Sequence, residues 1–118
     1  MISLANFAQE IIEKKTPAML VFTAEWCRPC ALQKPLVIKL TQEFGDRVLI
    51  ETIDVDQQAD LADHLQVRTL PATLVYAEGE LVEHLHGYQA EDFLTAYIKH
   101  IIEQTRRGAP AASDAAKP

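Results

Sequence analysis

The chain has two cysteines, and both stand in one short stretch, Thr23–Cys30, that reads TAEWCRPC. Thiols separated only by Arg28 and Pro29 suit three kinds of chemistry: a structural disulfide, half of a metal site, or a pair that cycles between dithiol and disulfide. A zinc site within this chain would need two further ligands. The histidines available are His64, His84, His86 and His100, and there is no second CxxC. Two chains each lending a CxxC to a shared zinc ion or iron–sulfur cluster form a further reading. One pair this close in sequence cannot make a multi-disulfide framework, and in a reducing compartment it points to redox or metal chemistry.

What surrounds the pair decides how its sulfurs behave. AMLVFTA (18–24) is an apolar run of strand length, too continuous for a sheet with one wet face, so it reads as a central strand. After the cysteines, Leu32, Leu36, Leu40 and Phe44 recur along one face of a helix over 30–44, with Gly45 as its stop and Pro35 expected to kink it. The first cysteine therefore stands at a helix N-terminus, where unpaired N–H groups and the helix dipole favour negative charge and lower a thiol pKa. Cys27 is then the attacking thiolate. Cys30, one turn later and more enclosed, resolves the mixed disulfide. Pro29 suits a first helical turn because its missing N–H costs nothing there. Arg28 is either a permanent charge that stabilises the thiolate and raises the reduction potential, or a solvated surface charge.

The other elements follow from periodicity. Leu4, Phe7, Ile11 and Ile12 are spaced for a short amphipathic helix over 4–14, ended by Thr16-Pro17. RVLIETIDVD reads as a second buried strand and Ala59–Leu65 as a short helix. ATLVYAEGELVEHLH reads as two strands folded back around Glu78-Gly79. Phe93, Leu94, Tyr97, Ile98, Ile101 and Ile102 mark a helix over 91–106. The order is helix, strand, helix, strand, helix, strand, strand, helix: an α/β domain over 1–107 with parallel strands first and an antiparallel hairpin after. The tail, 108–118, has no large apolar side chain and is expected to be disordered.

At 118 residues, 48% hydrophobic and 24% charged, the chain suits one globular domain. The net charge of −6, with Lys and Arg scattered, argues against nucleic-acid binding. No apolar run reaches the roughly 18 residues of a membrane span, and no signal pattern opens the chain. A cytoplasmic monomer is expected.

Taken together, AEWCRPC, Pro35 eight residues after Cys27, DVDQ at 54–57, VRTLPAT at 67–73, EGELV at 78–82 and Gly87 resemble the thioredoxin family, in order and spacing from about Leu20 to Phe93. The resemblance implies a thioredoxin fold, a central mixed sheet of four to five strands flanked by helices on both faces. It further implies a cis peptide bond before Pro71, opposite the CxxC, and a groove for extended client peptides around Cys27 lined by Trp26, Thr69, Leu70, Pro71 and Gly87. The implied activity is thiol–disulfide oxidoreduction on protein disulfides through Cys27 and Cys30. No cofactor would be bound by the chain itself, and an NADPH-dependent reductase of the thioredoxin-reductase type would supply electrons.

Departures from the family pattern bear on that activity. Arg28 stands where Gly is usual. Val21 replaces a buried Asp and Thr52 its usual lysine partner, so both halves of a buried charge pair are missing and neither is left unpaired. His86 and Tyr88 flank Gly87 where small or apolar residues are usual. His86 reads either as a groove residue that pairs with the thiolate or senses pH, or as an exposed strand-end histidine. His64, His84 and His100 are given no role. The opening strand is shortened to Met1–Ser3. The loss of the Asp leaves a second function open: a binding or chaperone-like module whose cysteines sense redox state with little turnover.

Overall fold

A computed structural model describes residues 1–106; the expected tail at 108–118 lies outside the described residues. Four strands, β1 (Ala18–Thr23), β2 (Leu49–Asp54), β3 (Ala72–Ala77) and β4 (Glu80–His86), form one sheet in the order β2-β1-β3-β4. β1 pairs parallel to β2, and β3 is antiparallel to both β1 and β4. That is the mixed sheet expected of a parallel first half and a terminal hairpin.

Period-two alternation along the two central strands builds two cores. Ala18, Leu20 and Phe22 of β1 join Ala72, Leu74 and Tyr76 of β3 on one face, under α1 (Leu4–Phe7) and α3 (Ala59–His64), where Phe7, Ile11 and Leu61 cover them. Met19 and Val21 join Val75 and Ala77 on the other, under α2 (Arg28–Phe44) and α4 (Glu91–Arg106), where Val37, Leu40, Leu94, Ile98 and Ile101 cover them. Burying two faces at once is why β1 and β3 read as unbroken apolar runs. Helices flank both faces, as expected.

Several sequence expectations need correction. β2 is an edge strand in which only Ile53 is buried, because nothing pairs with its outer side among the described residues. Met1–Ser3 form no strand: Ser3 is drawn into capping α1, its N–H donating to Asn6 Oδ1 at 2.8 Å, and the Ile2 N–H meets the Glu51 carboxylate at 2.6 Å. The first helix changes type after Phe7 and continues as a π-helical segment, Ala8–Glu13, which ends at Lys15 with φ +57°. The buried face of α2 is Cys30, Gln33, Val37, Leu40 and Phe44; Leu32 is 66% exposed. Pro35 stands inside α2, where the sequence placed it.

The hairpin turn is as its sequence suggests. Glu78 and Gly79 both take positive φ, +56° and +81°, the pattern of a two-residue turn that matches strand twist. A Cβ at Gly79 would meet the Ile12 carbonyl oxygen at 2.9 Å, so the close approach of the N-terminal helix also demands glycine there.

Candidate functional site

Cys27 is the N-cap of α2: its backbone is extended, and its sulfur accepts the Cys30 N–H at 3.3 Å. Pro29 lies in the first turn, where no N–H is required. Cys27 and Cys30 are joined as a disulfide with Cα atoms 5.3 Å apart. They are 8% and 3% exposed, so Cys27 is the more open of two enclosed sulfurs. Once reduced, the Cys27 sulfur sits where a helix start holds negative charge best. Arg28, the first residue of α2, is exposed and has no ion-pair or hydrogen-bond partner among the described residues.

Two clefts flank the pair. One, about 470 Å³, runs between Trp26, Cys27 and Pro29 on one side and Val55, Val67, Arg68 and Leu70 on the other. Its Trp26 ring is 69% exposed, yet it is held: Nε1 donates to Asp56 Oδ2 at 2.9 Å. Asp56 is fixed in turn as its N–H donates to Asp54 Oδ1 at 2.8 Å. The second cleft, about 430 Å³, opens behind Cys30 and is lined by Val21, Lys34, Thr52, Asp54 and Pro71 among others. Val21 and Thr52 are register partners across β1 and β2. The two departures from the charge pair therefore meet in space, uncharged, beside the second cysteine.

The segment facing the cysteines is Thr69-Leu70-Pro71, with a cis Leu70–Pro71 peptide bond. Pro71 lines the second cleft and Leu70 the first, packed against Cys27 and Cys30. Thr69, His86 and Gly87 line neither cleft; His86, at the end of β4, and Gly87 after it bond to this segment. The Gly87 N–H donates to the Pro71 carbonyl at 2.8 Å, and Thr69 Oγ1 lies 3.0 Å from His86 Nδ1. Gly87 has φ +84° with nothing within 4 Å of a built Cβ, so conformation rather than crowding calls for glycine. His86 stacks on His84 at 4.4 Å between ring centroids. Burial, and then the His86 ring, hold the His84 pKa below its ordinary value.

Among the described residues, no three His, Cys, Asp or Glu side chains converge as a metal site. Asp56, Val55, Val67 and Arg68 escaped the sequence reading of the site, as did Gln33, whose amide is 1% exposed on the inward face of α2. Only Gln33 left a signal: with Cys30, Val37 and Leu40 it makes a helical stripe containing one polar residue.

Comparison with known proteins agrees with this geometry. The Thioredoxin family model matches residues 1–100. The mitochondrial thioredoxin of Mus musculus is 30% identical over 97 residues, 82% of this chain and 58% of the relative; the chain likewise spans 58% of the Rattus norvegicus and Bos taurus proteins. The thioredoxin of Buchnera aphidicola is 32% identical over 97 residues, 79% of this chain and 89% of the relative. Among solved structures, oxidized mitochondrial thioredoxin 3 from Saccharomyces cerevisiae superposes with a TM-score of 0.73 at 27% identity, covering 85% and 92% of the two chains. The Malassezia sympodialis thioredoxin gives 0.75 at 25% identity, covering 86% and 88%. The match of family, fold and CxxC placement makes the conclusion direct: this chain is a member of the thioredoxin family.

Proposed function

We propose that this protein is a thiol–disulfide oxidoreductase acting on protein disulfides. The observation that carries the reading is a Cys27–Cys30 disulfide capping α2, with the Cys30 N–H on the Cys27 sulfur and an apolar cleft alongside. In the reducing direction the Cys27 thiolate attacks one sulfur of a client disulfide, forming a mixed disulfide and expelling a client thiolate, which takes a proton from solvent. Cys30 then loses its proton and attacks Cys27 Sγ. The enzyme disulfide forms, the second client thiolate leaves, and two electrons have passed to the client. A reductase of the NADPH-dependent thioredoxin-reductase class returns the electrons, which suits a reducing compartment such as the cytoplasm.

Extended client backbone fits beside Leu70 and Pro71, with Trp26, Pro29 and Leu70 as the apolar walls. His86 and Gly87 hold that segment through Thr69 Oγ1 and the Pro71 carbonyl, and Arg28 biases Cys27 towards the thiolate. The uncharged Val21–Thr52 pair favours a second reading, a binding module with a redox-sensing pair, because it offers no buried carboxylate to take the Cys30 proton.

A Cys30→Ser variant separates the two. An oxidoreductase accumulates mixed disulfides between Cys27 and client proteins, visible as bands that dithiothreitol removes. If none form, and the native protein reduces insulin disulfides only at background, the binding module is the better reading.

A further inference from the structure

Gln33 is nearly the only polar side chain in the buried layer between α2 and the sheet, accompanied there by Thr73. Its position in the helix, one turn after Cys30, would accept an apolar residue as readily as Val37 does. Its amide is instead engaged at both its nitrogen and its oxygen with one backbone unit. Nε2 donates to the Gln89 carbonyl at 2.9 Å, and Oε1 accepts the Gln89 N–H at 2.7 Å. The Gln89 side chain turns back, and its Nε2 donates to the carbonyls of His86 at 3.2 Å and Gly87 at 3.3 Å. From there the Gly87 N–H reaches the Pro71 carbonyl at 2.8 Å, and Thr69 Oγ1 meets His86 Nδ1 at 3.0 Å. A continuous polar chain thus runs from the helix that carries the cysteines to the segment that faces them.

We infer that Gln33, through Gln89, is a positioning residue that sets the 69–71 segment against Cys27 for protein clients. The inference rests on the oxidoreductase reading above. Two hydrogen bonds from one buried side-chain amide hold their geometry well, because leaving that amide unpaired is costly and the loop cannot drift without breaking both. The Gly87–Gln89 loop is tied at its start by the Gly87 N–H on the Pro71 carbonyl, its middle residue Tyr88 is 47% exposed, and Gln33 anchors its far end at Gln89. Gln33 touches no reacting atom. It governs how well an extended backbone docks and leaves sulfur chemistry alone.

The test compares the native protein with Gln33→Leu and with Gln89→Ala, which leaves the buried layer intact. Two substrates are used: insulin, which must dock its chain, and 5,5′-dithiobis(2-nitrobenzoic acid), which needs only an accessible thiolate. Both variants should raise KM for insulin, by about tenfold in Gln33→Leu, with kcat and the rate on the small disulfide within twofold of native and the Cys27 pKa unshifted. Amide hydrogen exchange at Gln89 should quicken in Gln33→Leu. Equal losses on both substrates, or an unchanged KM for insulin in the two variants, would overturn the positioning role. A native protein inactive on both disulfides would sink the oxidoreductase reading itself; unaltered Gln89 exchange with activity present would sink only the clamp.

Discussion

The missing charge pair yields a prediction with a definite size. Val21 is 2% exposed, and its register neighbours, Thr52 on β2 and Thr73 on β3, carry no charge. A lone carboxylate placed there by Val21→Asp is an unpaired buried charge, which costs about 3–5 kcal/mol when ionised. At about 1.36 kcal/mol per pKa unit, that cost lifts the folded-state pKa some 2–4 units above the usual ~3.9, to between ~6 and ~8. The sign follows. Between the unfolded pKa of ~3.9 and the folded pKa, the folded protein keeps a proton that the unfolded chain has released, so stability falls as pH rises, by up to about 1.4 kcal/mol per unit, and levels off above the folded pKa. The cleft behind Cys30 is open and lined in part by Val21, so a charge there is partly screened, which favours the lower half of the range. Urea unfolding at pH 4 to 8 measures the effect: at pH 4 only the cost of the lost apolar side chain and the neutral carboxyl, and at pH 8 a deficit about 3 kcal/mol larger. Adding Thr52→Lys, whose head can reach solvent from the edge strand, should recover most of the deficit and flatten its pH dependence. A deficit equal at pH 4 and pH 8 would refute the claim that the site penalises an unpaired charge. Failure of Thr52→Lys to recover anything would refute the pairing of the two positions.

Other predictions concern neighbouring groups. Among the described residues Thr73 Oγ1 is buried without a partner, in a residue that is 0% exposed, so Thr73→Val should stabilise the fold by about 1 kcal/mol, seen as a higher Tm in calorimetry. His84 has a pKa held down by burial and by His86, so the unfolded chain takes up its proton first; stability is lost as pH falls below ~6.5, and His84→Leu should remove that loss when urea midpoints at pH 7.5 and pH 5 are compared. Arg28→Gly removes a cation beside the Cys27 thiolate and should lower the reduction potential by about 10–30 mV against a glutathione series; an unchanged potential would make Arg28 a bystander. The shift is kept small because Arg28 is exposed and its field is screened.

Much of the fold was legible because the signals are local. Two central strands must bury both faces, so 18–23 and 72–77 read as apolar runs. A two-residue turn with both φ angles positive is written as Glu78-Gly79. The helix cap and the CxxC share one short stretch, so the chemistry of Cys27 could be read from its neighbours alone. The errors share a cause too. Leu32 and Leu36 looked inward because periodicity gives the spacing of a face and not its direction; the sheet turned Cys30, Gln33 and Val37 inward instead. β2 looked buried because an apolar edge strand and an apolar central strand have similar compositions.

The amino-acid sequence by itself determined the alternation of elements, the identity of the redox pair and the uncharged state of positions 21 and 52. Only the tertiary structure decided that Val21 and Thr52 are neighbours, that Asp56 holds the Trp26 ring, and that Gln33 reaches Gln89. The reason is physical: propensity, capping and turn geometry act over a few residues, whereas Gln33 and Gln89 lie 56 positions apart and meet only once both cores have closed around the sheet.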